Sequence, residues 1–125
     1  MKSQQLTGFG RVQPAGTAPA LLVWQADSLR ERLRGLLGHA PLRADQAMLL
    51  RPCRLVHTFG MGFAIDIVFL DRAGVVRRID EAVPKGRVRG CLSAWQTLEL
   101  AAGATSALGL RVHDRLAGLG WGSAR

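Results

Sequence analysis

The sequence predicts an α+β domain, mostly β: a small curled sheet or barrel with one principal amphipathic helix packed on it. Three observations lead there. Several short apolar runs of strand length alternate with turns rich in Gly, Pro and Asp. Only residues 28–37 combine a helix start signal, an apolar stripe and a stop signal. The 125 residues, 48% hydrophobic and 21% charged, suit one core and leave little room for two.

Residues 1–19 are polar and turn-rich and read as a flexible lead-in, with a short edge strand near residues 9–12. A single compact domain is expected over 20–117, followed by a Gly-rich tail over 118–125. Residues 20–25 form the first apolar run of strand length. Ser28 followed by Glu31 has capping-box spacing, which satisfies free amides in the first helical turn. Leu29, Leu33, Leu36 and Leu37 then fall on one helical face, while Gly38 and Pro41 terminate the helix. Residues 47–50 and 64–70 read as strands. Asp71 and Gly74 bracket a type I turn from which residues 75–79 return as a hairpin. Residues 92–100 read as another strand, 104–108 as one helical turn stopped by Gly109, and 111–116 as a last turn and short strand.

Seventeen Lys and Arg against nine Asp and Glu give a net charge of +8. Such a balance raises the question of nucleic acid or an anionic membrane. The cations are almost all arginine, dispersed along the chain, and no run reaches nucleic-acid-arm length. Aromatic residues are 6% and do not alternate with basic ones. No specific nucleic-acid partner is therefore expected. No stretch is long and apolar enough for a membrane span, and residues 1–7 lack an apolar signal core, so the chain reads as cytoplasmic. Cys53 and Cys91 are too few and too far apart for a zinc framework, and no metal or cofactor is expected.

The densest polar constellation is residues 53–66, which hold Arg54, His57, Thr58, Met61 and Asp66 among large apolar residues. Period-2 alternation puts Ile65, Ile67 and Phe69 on one face of the following strand, and Asp66, Val68 and Leu70 on the other. Both faces are apolar, so Asp66 is a carboxylate in a dry place and needs hydrogen bonds there. Thr58 and the amides near Gly60 and Met61 are the expected donors. Glu99 reads as one half of an ion pair at the sheet rim.

These segments resemble the domain of unknown function 192 family of bacteria and archaea. The resemblance rests on Arg34-Gly35-Leu36-Leu37, His57-Thr58-Phe59-Gly60-Met61, Ile65-Asp66-Ile67-Val68-Phe69-Leu70-Asp71, Leu98-Glu99-Leu100 with Gly103, and Gly109-Leu110-Arg111-Val112. It spans residues 24–116, with Ala64 in place of a usual proline and His113 in place of a usual glycine. It implies a compact, mostly β domain and carries no reaction over.

Two function classes follow. The first is a non-catalytic domain that presents the loop from His57 to Asp66 to a small molecule or protein. The second is a small hydrolase-like enzyme with His57 as base, Asp66 as its orienter and Arg54 as anion anchor. The binding class is preferred, because no serine or cysteine is marked by a nucleophile elbow. Phe59 and Met61 read as core, and Gly60 and Gly62 as a special turn rather than a phosphate cradle. The oligomeric state is left open.

Overall fold

Eight strands and one short helix organise residues 2–7, 20–26 and 42–116, which are the residues described in this computed structural model. The strands are β1 (Lys2–Thr7), β2 (Ala20–Ala26), β3 (Gln46–Leu50), β4 (Leu55–His57), β5 (Ile65–Leu70), β6 (Val76–Val83), β7 (Val88–Gly90) and β8 (Gln96–Ala101), and the helix is α1 (Ala104–Leu108). Six strands make one sheet in the order β1-β2-β3-β8-β5-β6, and β4 pairs with β7 as a separate ribbon. All neighbours are antiparallel except β2 and β3. Of the two forms the sequence allows, a curled sheet or a barrel, the sheet is open, with β1 and β6 at its edges among the described residues.

All six residues of β5 are buried, because both of its faces carry large apolar side chains. Val68 and Leu70 join Leu98 and Leu100 of β8, Leu49 of β3 and Leu116 in one cluster. Ile65, Ile67 and Phe69 join Met48, Val56 and Met61 in a second, on the opposite face. The alternation read from the sequence is therefore the division between two cores. Each fully buried Ile, Leu or Phe contributes about 1.5–3 kcal/mol, which offsets the cost of the one carboxylate in the strand.

The β5–β6 hairpin forms as its Asp71 and Gly74 dictate. Asp71 Oδ1 accepts the amides of Ala73 and Val75, both at 2.9 Å, and Arg77 clasps Oδ2 at 2.8 and 3.0 Å. Gly74 sits at φ 87, with the carbonyl of Leu116 3.1 Å from where a Cβ would stand. Burial alone would raise the Asp71 pKa. The amide of Val75, then Arg77 and the amide of Ala73, outweigh it and hold the group below the usual carboxyl range.

Several expectations change. Residues 2–7, read as part of a lead-in, form edge strand β1; residues 9–12, the helix over 28–37 and the tail over 118–125 lie outside the described residues. β6 runs to Val83 rather than ending at Ile79, because Ala82 at φ 49 supplies a bulge that lets pairing resume at Ile65. β8 starts at Gln96, since residues 91–94 are taken by a turn closed by the Ala94 amide on the Cys91 carbonyl at 3.1 Å. α1 ends at Gly109, φ 72, as its sequence requires. His113 adopts φ 80, so the final turn keeps the left-handed conformation without a glycine.

Candidate functional site

The residues singled out in the sequence separate into two places. Asp66 is fully buried on the face of β5 shared with Val68, and it pairs across β8 with Leu100. Its Oδ1 accepts the amides of Ala82 at 2.8 Å and Gly103 at 3.2 Å. Its Oδ2 accepts the Thr105 amide at 3.0 Å and the Thr105 hydroxyl at 2.7 Å. The need for hydrogen bonds is met, but not by the donors expected. Thr58, Gly60 and Met61 are absent from this set; the donors come from the β6 bulge and the start of α1. Gly103 caps α1 without a side chain, so Asp66 satisfies that helix's free amide from a neighbouring strand.

His57 is likewise not a partner of Asp66. It lies half-buried on β4, against Phe59 with ring centroids 5.6 Å apart. The base-and-orienter pair of the hydrolase reading is therefore not assembled. Beside Asp66 lies an open cleft of about 370 Å³ instead, lined by Ile79, Glu81, Thr105, Ser106, Leu110 and Arg111. Glu81 Oε1 stands 3.4 Å from the hydroxyl that Asp66 already binds.

The second place is the β4–β7 ribbon. Its pairs are Leu55 with Gly90, Val56 with Arg89 and His57 with Val88. Val56 and Met61 are buried in the second core and seat the ribbon on the sheet. Thr58 is fully buried and fixes the turn opposite. Its hydroxyl donates to the Pro84 carbonyl at 2.7 Å and accepts the Arg87 amide at 2.9 Å. Its amide donates to the Arg87 carbonyl at 2.8 Å, and its carbonyl accepts the amides of Met61 and Gly86. Gly60, at φ 82, lets the chain reverse there. Thr58 and Met61 thus position the loop from inside, while His57 stands with Val88 at its outer side and Arg54, just before β4, is exposed.

The outer side is apolar. Leu55, Phe59, Val88 and Leu92 are 49% to 93% exposed, and they are four of the five large hydrophobic side chains exposed among the described residues. The sequence places Phe59 in the core; the turn after β4 directs it outward instead. Glu99 departs in the opposite direction. It is fully buried in central strand β8, in register with Met48 and Ile67, rather than at a rim. Sequence alternation does not carry that signal: Leu98 and Leu100 fall on one face and Glu99 on the other beside Thr97, and it is the second core packed on that face that takes the carboxyl out of solvent.

Cys53 and Cys91 are free and half-buried. Among the described residues no three His, Cys, Asp or Glu side chains gather as a metal site, and no helix is long and apolar enough to cross a membrane.

The arrangement has counterparts among solved structures. A protein of Sinorhizobium meliloti 1021, described as a proposed transcription regulator, superposes with a TM-score of 0.75 at 23% identity, over 91% of this chain and 92% of that one. A protein of unknown function from Novosphingobium aromaticivorans DSM 12444 superposes with a TM-score of 0.71 at 15% identity, over 89% of this chain and 81% of that one. At these identities the likeness is one of fold. No curated protein matches. The model of the domain of unknown function 192 family, described as an uncharacterized ACR, matches residues 11–118, and the chain belongs to that family.

Proposed function

We propose that the chain is a non-catalytic cytoplasmic binding domain whose docking face is the outer side of the β4–β7 ribbon. One observation carries the reading: four exposed large hydrophobic side chains concentrate on a single short ribbon and its turns, which Val56 and Met61 seat on the second core. Scattered exposed leucines are ordinary, whereas a cluster beside polar residues is the usual mark of an interaction surface. Large apolar side chains beside arginine are the composition of a macromolecular docking surface, which favours a protein partner. His57 belongs to this face, in register with Val88, and Arg54 is exposed beside it in sequence; Thr58 and Met61 support it, and Asp66 serves the fold on the far side of the sheet.

The test is photo-crosslinking in the producing cell, with a photoreactive residue placed in turn at Leu55, Phe59, Leu92 and Val112. Val112 is exposed but belongs to the final turn, away from the ribbon. Adducts from the three ribbon positions and none from Val112 are expected. Equal yields at all four positions, or none from the ribbon, overturn the reading.

A further inference from the structure

We infer that the cleft between β6 and α1 binds a small amphipathic zwitterion, an apolar amino acid or a short peptide. The cleft encloses about 370 Å³, near the lower end of the range for small-molecule sites, roughly 300–1,000 Å³. Ile79 and Glu81 of β6 form one wall. Thr105 and Ser106 of α1, with Leu110 and Arg111 just beyond it, form the other. Ile79 and Leu110 belong to the first core and the ribbon is seated on the second, so the cleft is independent of the docking face.

Two opposite charges line this cleft without meeting. Elsewhere the carboxylates are answered: Asp45, Asp71 and Asp80 each meet an arginine, and Asp66 and Asp114 accept main-chain amides. Glu81 has only the Thr105 hydroxyl, 3.4 Å away. That hydroxyl carries one proton, and its 2.7 Å bond to Asp66 Oδ2 takes it. Arg77, Arg78 and Arg115 bind carboxylates or main-chain carbonyls. The Arg111 guanidinium binds neither among the described residues, and only its amide is used, by Asp114. Glu81 and Arg111 form no ion pair with each other, and both are exposed. The exposed Ser106 hydroxyl also has no hydrogen bond among the described residues.

These unused groups fix the class of ligand. An ammonium suits Glu81, and a carboxylate suits the two-pronged fork of Arg111. A ligand of one sign would meet its own charge on one wall: a phosphate compound at Glu81, a polyamine at Arg111. Asp66 cannot compete for the ammonium, because two amides already bind Oδ1 and an amide and a hydroxyl bind Oδ2. Buried Leu110 and half-buried Ile79 add the apolar surface on which an aliphatic side chain sheds water.

The experiment follows amide shifts of the isotope-labelled full chain on titration with L-leucine, leucyl-glycine, N-acetyl-leucine and leucine amide. Saturable shifts at Glu81, Ser106 and Leu110 are expected with the two zwitterions, and none at His57 or Val88 on the ribbon. The two blocked forms, each lacking one charge, should bind about tenfold more weakly. Glu81→Gln should remove the preference for leucine over N-acetyl-leucine, and Arg111→Gln the preference for leucine over leucine amide, which assigns each charge to its wall. Both side chains are exposed, and thermal melts verify that the variants fold. Arg43→Gln, in an ion pair of its own, should change nothing. No saturable shift from either zwitterion at about 10 mM, ten times a millimolar Kd, overturns the inference. Equal binding of the blocked forms, preferences unchanged in the two variants, or shifts confined to the ribbon overturn it as well.

Discussion

The Asp66 clamp and the β4–β7 ribbon occupy opposite faces of one sheet and treat their polar and apolar groups in opposite ways. At Asp66 a single carboxylate collects four donors from two separate segments, and no capacity is left for a ligand. On the ribbon, cations point at main chain and large hydrophobic groups face solvent. The most eye-catching residue in a sequence, a charge inside an apolar strand, turns out to be consumed by the fold. The groups left over for other molecules are ordinary in type and unusual only in their company.

The contrast can be broken most severely at Asp66. Asp66→Ala leaves the amides of Ala82, Gly103 and Thr105 and one hydroxyl without their acceptor, and should cost about 3 kcal/mol or more. Asp66→Asn turns one acceptor into a donor facing donors and should cost about 1–3 kcal/mol. Urea melts with unchanged m-values measure both. A loss below about 0.5 kcal/mol for either would remove the clamp from the account of stability. Thr58→Val comes next. It preserves shape but strips the Pro84 carbonyl and Arg87 amide of their partner, for about 1–2 kcal/mol. Its specific signature is faster hydrogen exchange at the Arg87 amide, while that of Thr105 stays protected.

How far the sequence foretells this follows from range. β5, the Asp71–Gly74 turn and the division of β5 into two core faces depend on neighbours a few residues apart, and alternation and turn chemistry expose them. The burial of Asp66 is legible for the same reason. Its partners are not, because Ala82, Gly103 and Thr105 lie 16 to 39 residues away and are brought in by a bulge and a helix start. Strands of three residues, such as β4 and β7, are too short to show a period, so the ribbon and its outward Phe59 go unseen. The burial of Glu99 is not legible either, because Leu98-Glu99-Leu100 alternates like a half-exposed strand and the core that covers its other face is assembled from distant segments.

Two smaller effects sharpen the comparison. The Asp71 pKa is lowered in the folded chain, so this group adds stability above its unfolded pKa of about 4, and that contribution is lost as pH falls through the folded value. Acid titration should therefore loosen the hairpin turn before the ribbon, visible as earlier amide shifts at Ala73 and Val75; simultaneous shifts throughout would contradict it. The smallest change is expected on the ribbon surface. Leu92→Ser and Phe59→Ser should each move stability by no more than about 0.5 kcal/mol, since neither side chain is buried by the fold. A loss above about 1 kcal/mol would mean that these residues serve the fold after all.

The position of β8 also governs how the chain can be made. Of the described strands it is the last to leave the ribosome, yet it sits in the middle of the sheet, between β3 and β5. Until residues 96–101 emerge, those two strands have no partner along one edge each, although both carry the side chains of the core. Exposed apolar edges of this kind are where nascent chains stick to one another. Chains halted at residue 95 should therefore be digested by protease throughout, whereas chains carried past Leu116, whose amide closes on Gly74 at 2.9 Å, should resist it. Synthesis of this small domain thus ends in one cooperative closure, with the central strand inserted between two that have been waiting.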